Sequence, residues 1–199
     1  QHKDFKTTEE VKKKMYLNVS DIKKLINKEI IDKDLDEVRD AFLLICLLGI
    51  RVSDFHQLNK SNITKQDEGY TFNFQCQKTK NFQNIPIHIK GMEIVKKYNY
   101  SLPDVDENTI NKKIKKVAEL CELNDEFTNT DGTFKKCEII STKTGRISFA
   151  TNAYLNTEMP KRSIMVVTGH KKESSFDRYV QAQRPPKHQE VYKIYGDLN

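Results

Sequence analysis

The stretch DEVRDAFLLICLLGIRVSDFHQL, Asp36 to Leu58, is apolar almost all round from Val38 to Leu48 and then meets Gly49. A helix with no polar face belongs in the middle of a domain, and glycine is the residue that most readily closes a helix in a left-handed conformation. The pattern predicts a buried central helix stopped at Gly49. Arg51 then emerges from the most rigid part of the core. An arginine just past a helix end is ordinarily a surface residue, so its meaning depends on what the rest of the chain brings to it.

On the N-terminal side, Gln1 to Tyr16 is polar and Lys-rich without a sustained apolar period, as expected of a linker or a segment ordered by contact. The fold proper is expected from Asn18. SDIKKLINKEI offers Ser20 as an N-cap and places Ile22, Leu25, Ile26 and Ile30 on one helical face. On the C-terminal side, Tyr70, Phe72, Phe74 and Cys76 alternate with polar residues, and Ile85, Ile87 and Ile89 do the same, which predicts a β-hairpin with QKTKNFQ at its tip. After Pro103, Ile110, Ile114, Val117 and Leu120 mark a helix whose other face carries Lys112, Lys113, Lys115 and Lys116. NDEFTNTDGTFKKCEII is expected to be a loop. Thr144 to Leu155 has helical spacing, and Pro160 opens a short helix to Val167. Beyond Tyr179, Pro185 and Pro186 interrupt the chain before an apolar patch at Val191, Tyr192, Ile194 and Tyr195. The fold class is therefore mostly α with a small antiparallel β-sheet (α+β).

The chain has 199 residues, ample for one core. Its formal net charge of +6 suits a polyanionic partner, although a Lys-rich composition alone is weak evidence. Cys46, Cys76, Cys121 and Cys137 form no CxxC pair and have no histidine at metal-ligand spacing, which argues against a zinc module and favours a reducing cytoplasm. No apolar run approaches the roughly 18 residues of a membrane span.

Four clusters carry chemistry together that none carries alone. Arg51 follows the buried helix. Arg146, in TGRISFAT, lies near a helix start, where free backbone N–H groups favour phosphate. Lys78 occupies the hairpin tip, a position where a lysine by default only solubilises. In TGHKKESSFDRYV, His170 follows a glycine and stands nine residues before Tyr179. Two guanidinium forks, a mobile ammonium, an imidazole and a phenol suit phosphoryl transfer to a tyrosine. The sequence contains no Walker lysine motif and no Asp-rich metal cluster, and no cofactor is expected.

In order and spacing these boxes resemble the catalytic domain of the tyrosine recombinase, or phage integrase, family. GIRVSDFHQL looks like its first-arginine box, QKTKNFQNIPI like its lysine hairpin, TGRISFATNAYL like its second-arginine box and TGHKKESSFDRYV like its histidine-tyrosine box. The likeness runs from about Asn18 to Tyr179. It implies that Arg51 and Arg146 clamp the scissile phosphate, that Lys78 protonates the departing 5′ oxygen, that His170 hydrogen-bonds the phosphate, and that Tyr179 forms a 3′-phosphotyrosyl link. Asp54 stands at the family's acidic position as a support. Lys143 departs from the pattern: the family usually has histidine three residues before the second arginine, and an ammonium takes no proton unless its pKa is strongly lowered. Lys80, Lys161, Lys171 and Lys172 are expected DNA contacts, and His56 and His88 structural or surface residues.

The implied organisation is a linker or the end of a DNA-binding region at 1–17, a catalytic domain at 18–183, and a tail at 184–199 docking in cis or in trans. The implied activity is site-specific recombination of double-stranded DNA by a homo-oligomer, a tetramer on DNA, in the integration or excision of a mobile element. The implied setting is a prokaryotic-type, nucleoid-associated cytoplasm. Two rivals stand beside this: a type IB topoisomerase-like relaxing enzyme, and a helical DNA-binding regulator without catalysis.

Overall fold

The computed structural model describes residues 13–181. The 184–199 segment, with its prolines and apolar patch, lies outside the described residues, as does most of the 1–17 segment. The first described residues already join the core: Met15 and Leu17 are buried, and the Leu17 backbone N–H donates to Ser148 Oγ at 2.8 Å.

Helix α1 spans Val19–Asn27. Its N-cap is Asn18, not Ser20, because Asn18 and Asp21 form a reciprocal capping box that satisfies two orphan backbone donors at once. Helix α2, Lys33–Leu48, is the expected central helix, capped by Asp32 and closed by Gly49 at φ 65°. Val38, Phe42, Leu44, Ile45 and Leu48 are almost wholly buried. At Gly49 an added Cβ would lie 2.4 Å from the Phe149 ring. Gly49→Ala combines left-handed backbone strain with that collision, so we expect a loss of about 2–4 kcal/mol, read as a lower urea midpoint at unchanged m-value.

A 3₁₀ turn at Val52–Gln57 follows, then strands β1 (Ile63–Gln66), β2 (Gly69–Gln75) and β3 (Phe82–Ile87). They form an antiparallel sheet in sequence order, with Phe72 facing Ile85 and Gln75 facing Phe82. The predicted hairpin is β2 and β3. β1 adds a strand, and Ile89 leaves the sheet to start helix α3 (Ile89–Lys97), capped by the His88 side chain. Helix α4, Glu107–Leu120, buries Ile110, Ile114, Val117 and Ala118. Leu120 is 37% exposed, and Leu123 completes the apolar stripe instead.

The expected loop after α4 is structured. Strands β4 (Glu126–Asn129) and β5 (Gly132–Lys135) make a second, two-stranded sheet, followed by the one-turn helix α5 (Lys136–Ile139). Helices α6 (Thr142–Asn156), α7 (Lys161–Thr168) and α8 (Glu173–Val180) complete the described chain. α2 packs against α4 and α6, while α7 and α8 lean on the far side of α6 through Ala150, Ile164, Met165, Phe176 and Val180. Among the described residues no helix is long and apolar enough to cross a membrane.

Candidate active site

An open cleft of 460 Å³ is lined by Arg51, Lys78, Lys143, Arg146, His170 and Tyr179, with Ile50, Val52, Ser53, Glu107 and Thr142. Lys143 and Arg146 share helix α6, and Arg51, Lys78, His170 and Tyr179 each arrive from a different segment.

Arg51 leaves the core directly after α2. Its guanidinium donates to Cys76 Sγ at 2.9 Å, and the Cys76 thiol in turn points at Asp54 Oδ2 at 3.6 Å. Asp54 is 1% exposed, and its other oxygen accepts the Gln77 backbone N–H at 2.8 Å. Asp54 thus ties the segment of Arg51 to the base of the Lys78 turn. That turn is tight: Lys80 N–H donates to the Cys76 carbonyl at 2.8 Å, and Lys80 takes φ 57°. Lys78 and Lys80 are both exposed.

Arg146 sits in the second turn of α6, only 9% exposed. Helix α6 lies so close to α2 that a Cβ on Gly145 would come within 3.0 Å of Ile45. A bulkier residue there would push Arg146 out of register. Burial works against the Arg146 charge, as does neighbouring Arg51, while the Tyr179 oxygen favours it. The pocket therefore holds two buried or half-buried guanidiniums with which, among the described residues, no carboxylate pairs, an arrangement that favours an anion.

His170 is placed by the end of α7. Its backbone N–H donates to Met165 O and that of Gly169 to Val166 O, a Schellman closure with Gly169 at φ 62°. A side chain on Gly169 would press on the Arg51 guanidinium at 3.3 Å. The His170 ring meets Phe176 edge-on and lies 4.7 Å, centroid to centroid, from Tyr179. Burial, then Arg146, Arg51 and Lys14, bring its pKa down to about 4.

Tyr179 is carried by α8, whose buried Phe176 and Val180 fix the helix while Tyr179, one turn from Phe176, turns toward the cleft. Burial raises its phenol above the ordinary value; Arg146 and Arg51 pull the other way. Tyr154, the other tyrosine of this region, packs edge-on against Phe176 and does not line the cleft.

Lys143 is exposed in the first turn of α6 and lines the cleft. Lys161 pairs with Asp177 at 2.7 Å and Glu173 at 3.4 Å, joining α7 to α8, and is not part of the cleft lining. Lys171 and Lys172 are exposed just before α8. His56 lies outside the cleft, its Nε2 3.2 Å from Gln77 Nε2. Sequence reasoning missed Cys76, which reads as one more apolar residue of the hairpin. It also missed Glu107, which accepts from Thr142 Oγ1 at 2.9 Å at the cleft edge. Nothing in the sequence distinguishes Glu107 from the other acidic residues in the first turn of a helix.

No family model matches the chain, and no curated protein matches it. Solved structures do. The XerH site-specific recombinase bound to difH substrate in a pre-cleavage complex superposes with a TM-score of 0.66 at 15% identity, over 100% of this chain and 58% of that one. The XerA recombinase gives 0.62 at 17% identity, over 92% and 64%. The Tn1549 transposon integrase in complex with circular intermediate DNA gives 0.58 at 11%, over 95% and 66%. The chain thus spans between 58% and 66% of the length of these three proteins. Its architecture, central α2 flanked by a small antiparallel sheet and closed by the helices that bring Arg146, His170 and Tyr179 together, is the fold of the tyrosine recombinase catalytic domain.

Proposed function

We propose that this chain is the catalytic part of a site-specific DNA recombinase that cuts and rejoins strands through a 3′-phosphotyrosine. One observation carries the reading: Arg51, Lys78, Arg146, His170 and Tyr179, drawn from separate parts of the chain, line a single cleft. The two guanidiniums hold the non-bridging oxygens of the scissile phosphate and stabilise the charge that grows on them. Tyr179 Oη attacks phosphorus, the bond to the 5′ oxygen breaks, and Lys78, on its exposed turn, gives that oxygen a proton. The phosphotyrosyl bond conserves the energy of the phosphodiester, so a free 5′ hydroxyl can reverse the step. Exchange between two duplexes requires four such sites, hence a tetramer on DNA. Integration or excision of a mobile element is the use this chemistry suits.

The test is a suicide duplex nicked near the scissile phosphate, from which the released fragment diffuses away. A covalent adduct at Tyr179 is the expected product, and intact protein and DNA would leave only a regulator. Joining of two recombination sites by the full protein separates a recombinase from an enzyme that relaxes supercoils.

Lys143 contributes positive charge rather than base catalysis in this reading. Lys143→Ala should slow cleavage about tenfold, the scale of one charged hydrogen bond, and Lys143→His should be tolerated. Equal rates for wild type and Lys143→Ala between about pH 6 and 9 would remove Lys143 from the mechanism.

A further inference from the structure

With a lysine where the family usually has histidine, the proton of Tyr179 needs another acceptor, and the hydrogen bonds around His170 identify one. Thr168 is fully buried. Its hydroxyl lies 2.8 Å from the Ile164 carbonyl, one turn back in α7, and 2.7 Å from His170 Nδ1. A hydroxyl has one proton, and a carbonyl oxygen can only accept it. Two oxygens 2.8 Å apart repel unless a hydrogen lies between them, which favours the Thr168 proton on the Ile164 side and leaves the Thr168 oxygen a lone pair toward His170. In that arrangement His170 Nδ1 is the donor to Thr168. In the neutral ring Nε2 is then bare, an acceptor in a side chain that lines the cleft beside Tyr179.

We propose that Thr168 fixes His170 in the Nδ1–H form and that His170 Nε2 takes the proton of Tyr179 as the nucleophile attacks. Resting on the strand-transfer reading, the step balances as follows. The Tyr179 O–H proton moves to Nε2 while the Oη–P bond forms and the P–O5′ bond breaks, with Lys78 Nζ supplying the proton to O5′. His170 leaves the step as an imidazolium, whose new Nε2–H can donate to a phosphate oxygen. Religation runs these transfers backwards.

The surroundings suit an acceptor. The charged and titratable groups facing His170 are Arg146 from α6, Arg51 from the segment after α2, Lys14 from the chain before α1 and the Tyr179 phenol on α8, which also packs the uncharged Phe176 ring against it. Lys78 and Lys143 line the same cleft. Burial first, then Arg146, Arg51 and Lys14, keep the resting ring neutral well below pH 7. The scissile phosphate then brings the negative charge that makes the imidazolium tolerable, so the ring becomes a better base once DNA is bound.

The test has two parts on the full chain. Nitrogen-15 NMR of histidine-labelled protein, with His170→Gln to assign the signal, reads the tautomer without any catalysis. A protonated Nδ1 is expected in wild type and in Thr168→Ser, and loss of that preference in Thr168→Val. A wild-type ring protonated at Nε2 would overturn the inference. Single-turnover cleavage of the suicide duplex from about pH 6 to 9 reads the proton transfer. Wild type should depend on pH far less than the variant, because a base already neutral over most of this range gains little from added hydroxide. His170→Gln should be slower by about 10²-fold at pH 7 and should gain roughly tenfold per pH unit, as hydroxide replaces the lost base. Thr168→Val should cut the rate about tenfold, with Thr168→Ser restoring it. A flat profile for His170→Gln would reduce His170 to a phosphate contact and refute the base role while leaving strand transfer intact. Wild type that makes no adduct at all would remove both.

Discussion

Tyr179→Phe abolishes covalent protein–DNA adducts while DNA affinity stays within a few-fold of wild type and the fold keeps its stability. The reasoning lies in where the ring and its oxygen go. Helix α8 is held by Phe176 and Val180, both buried in the small cluster with Ala150, Ile164 and Met165, and Tyr179 adds only partly buried ring surface to it. A phenylalanine preserves that surface. What it removes is the oxygen, the atom facing Arg146. Burial makes that phenol harder to ionise, so losing it deletes a polar group that is costly to enclose, and the stability change should stay within about 1 kcal/mol. Adduct formation on the suicide duplex, scored by denaturing gel and mapped by mass spectrometry, is the measurement. An adduct that survives in Tyr179→Phe would assign the nucleophile elsewhere. Tyr154 would be examined next, although its ring is turned to Phe176 and away from the cleft.

How much of this was legible beforehand depended on how many constraints each element had to meet within its own sequence. Helix α2 was readable because sixteen residues, most of them apolar, ended at a glycine that only a left-handed cap explains. The β2 and β3 strands were readable from strict alternation. By contrast, β4 and β5 are four residues each and mostly polar, so their pairing comes from the two-residue Thr130-Asp131 connection and from packing, which periodicity cannot register. The α1 cap went to Asn18 because Asp21 completes a reciprocal pair with it, and Ser20 has no such partner three residues on. At the site, the cleft-lining residues were named from their boxes. Their support was not: Cys76 between Arg51 and Asp54, and Thr168 beneath His170, are contacts between or within elements that look like ordinary core positions in the sequence. Lys161 has partners that its sequence neighbourhood does not announce. It pairs with Glu173 and Asp177 on α8, twelve and sixteen residues on, a contact between helices that periodicity cannot register.

Arg146→Ala should lower cleavage by at least about 10²-fold, the usual cost of one donor in a preorganised anion site, and Arg51→Ala should do the same. The more informative part of this prediction concerns the protein without DNA. Arg146 is 9% exposed, burial opposes its charge, and Arg51 beside it opposes it further. Among the described residues the only acidic side chain lining the cleft, Glu107, accepts its hydrogen bond from Thr142 rather than from either guanidinium. A buried cation kept without a carboxylate partner costs stability. Arg146→Ala should therefore leave the fold at least as stable as wild type, by thermal or urea denaturation, even as it destroys the reaction. The same asymmetry predicts that an inorganic anion stabilises the wild-type fold by binding between the two arginines. Sulfate at concentrations well above its dissociation constant should raise the melting temperature of wild type, by mass action on the folded state, and should do so much less for Arg146→Ala or Arg51→Ala. If both variants cleave at the wild-type rate, or respond to sulfate as wild type does, the two guanidiniums do not form one phosphate clamp. If Arg146→Ala instead unfolds, Arg146 is a structural residue whose charge is compensated within the fold, and the cleft would have to find its anion elsewhere.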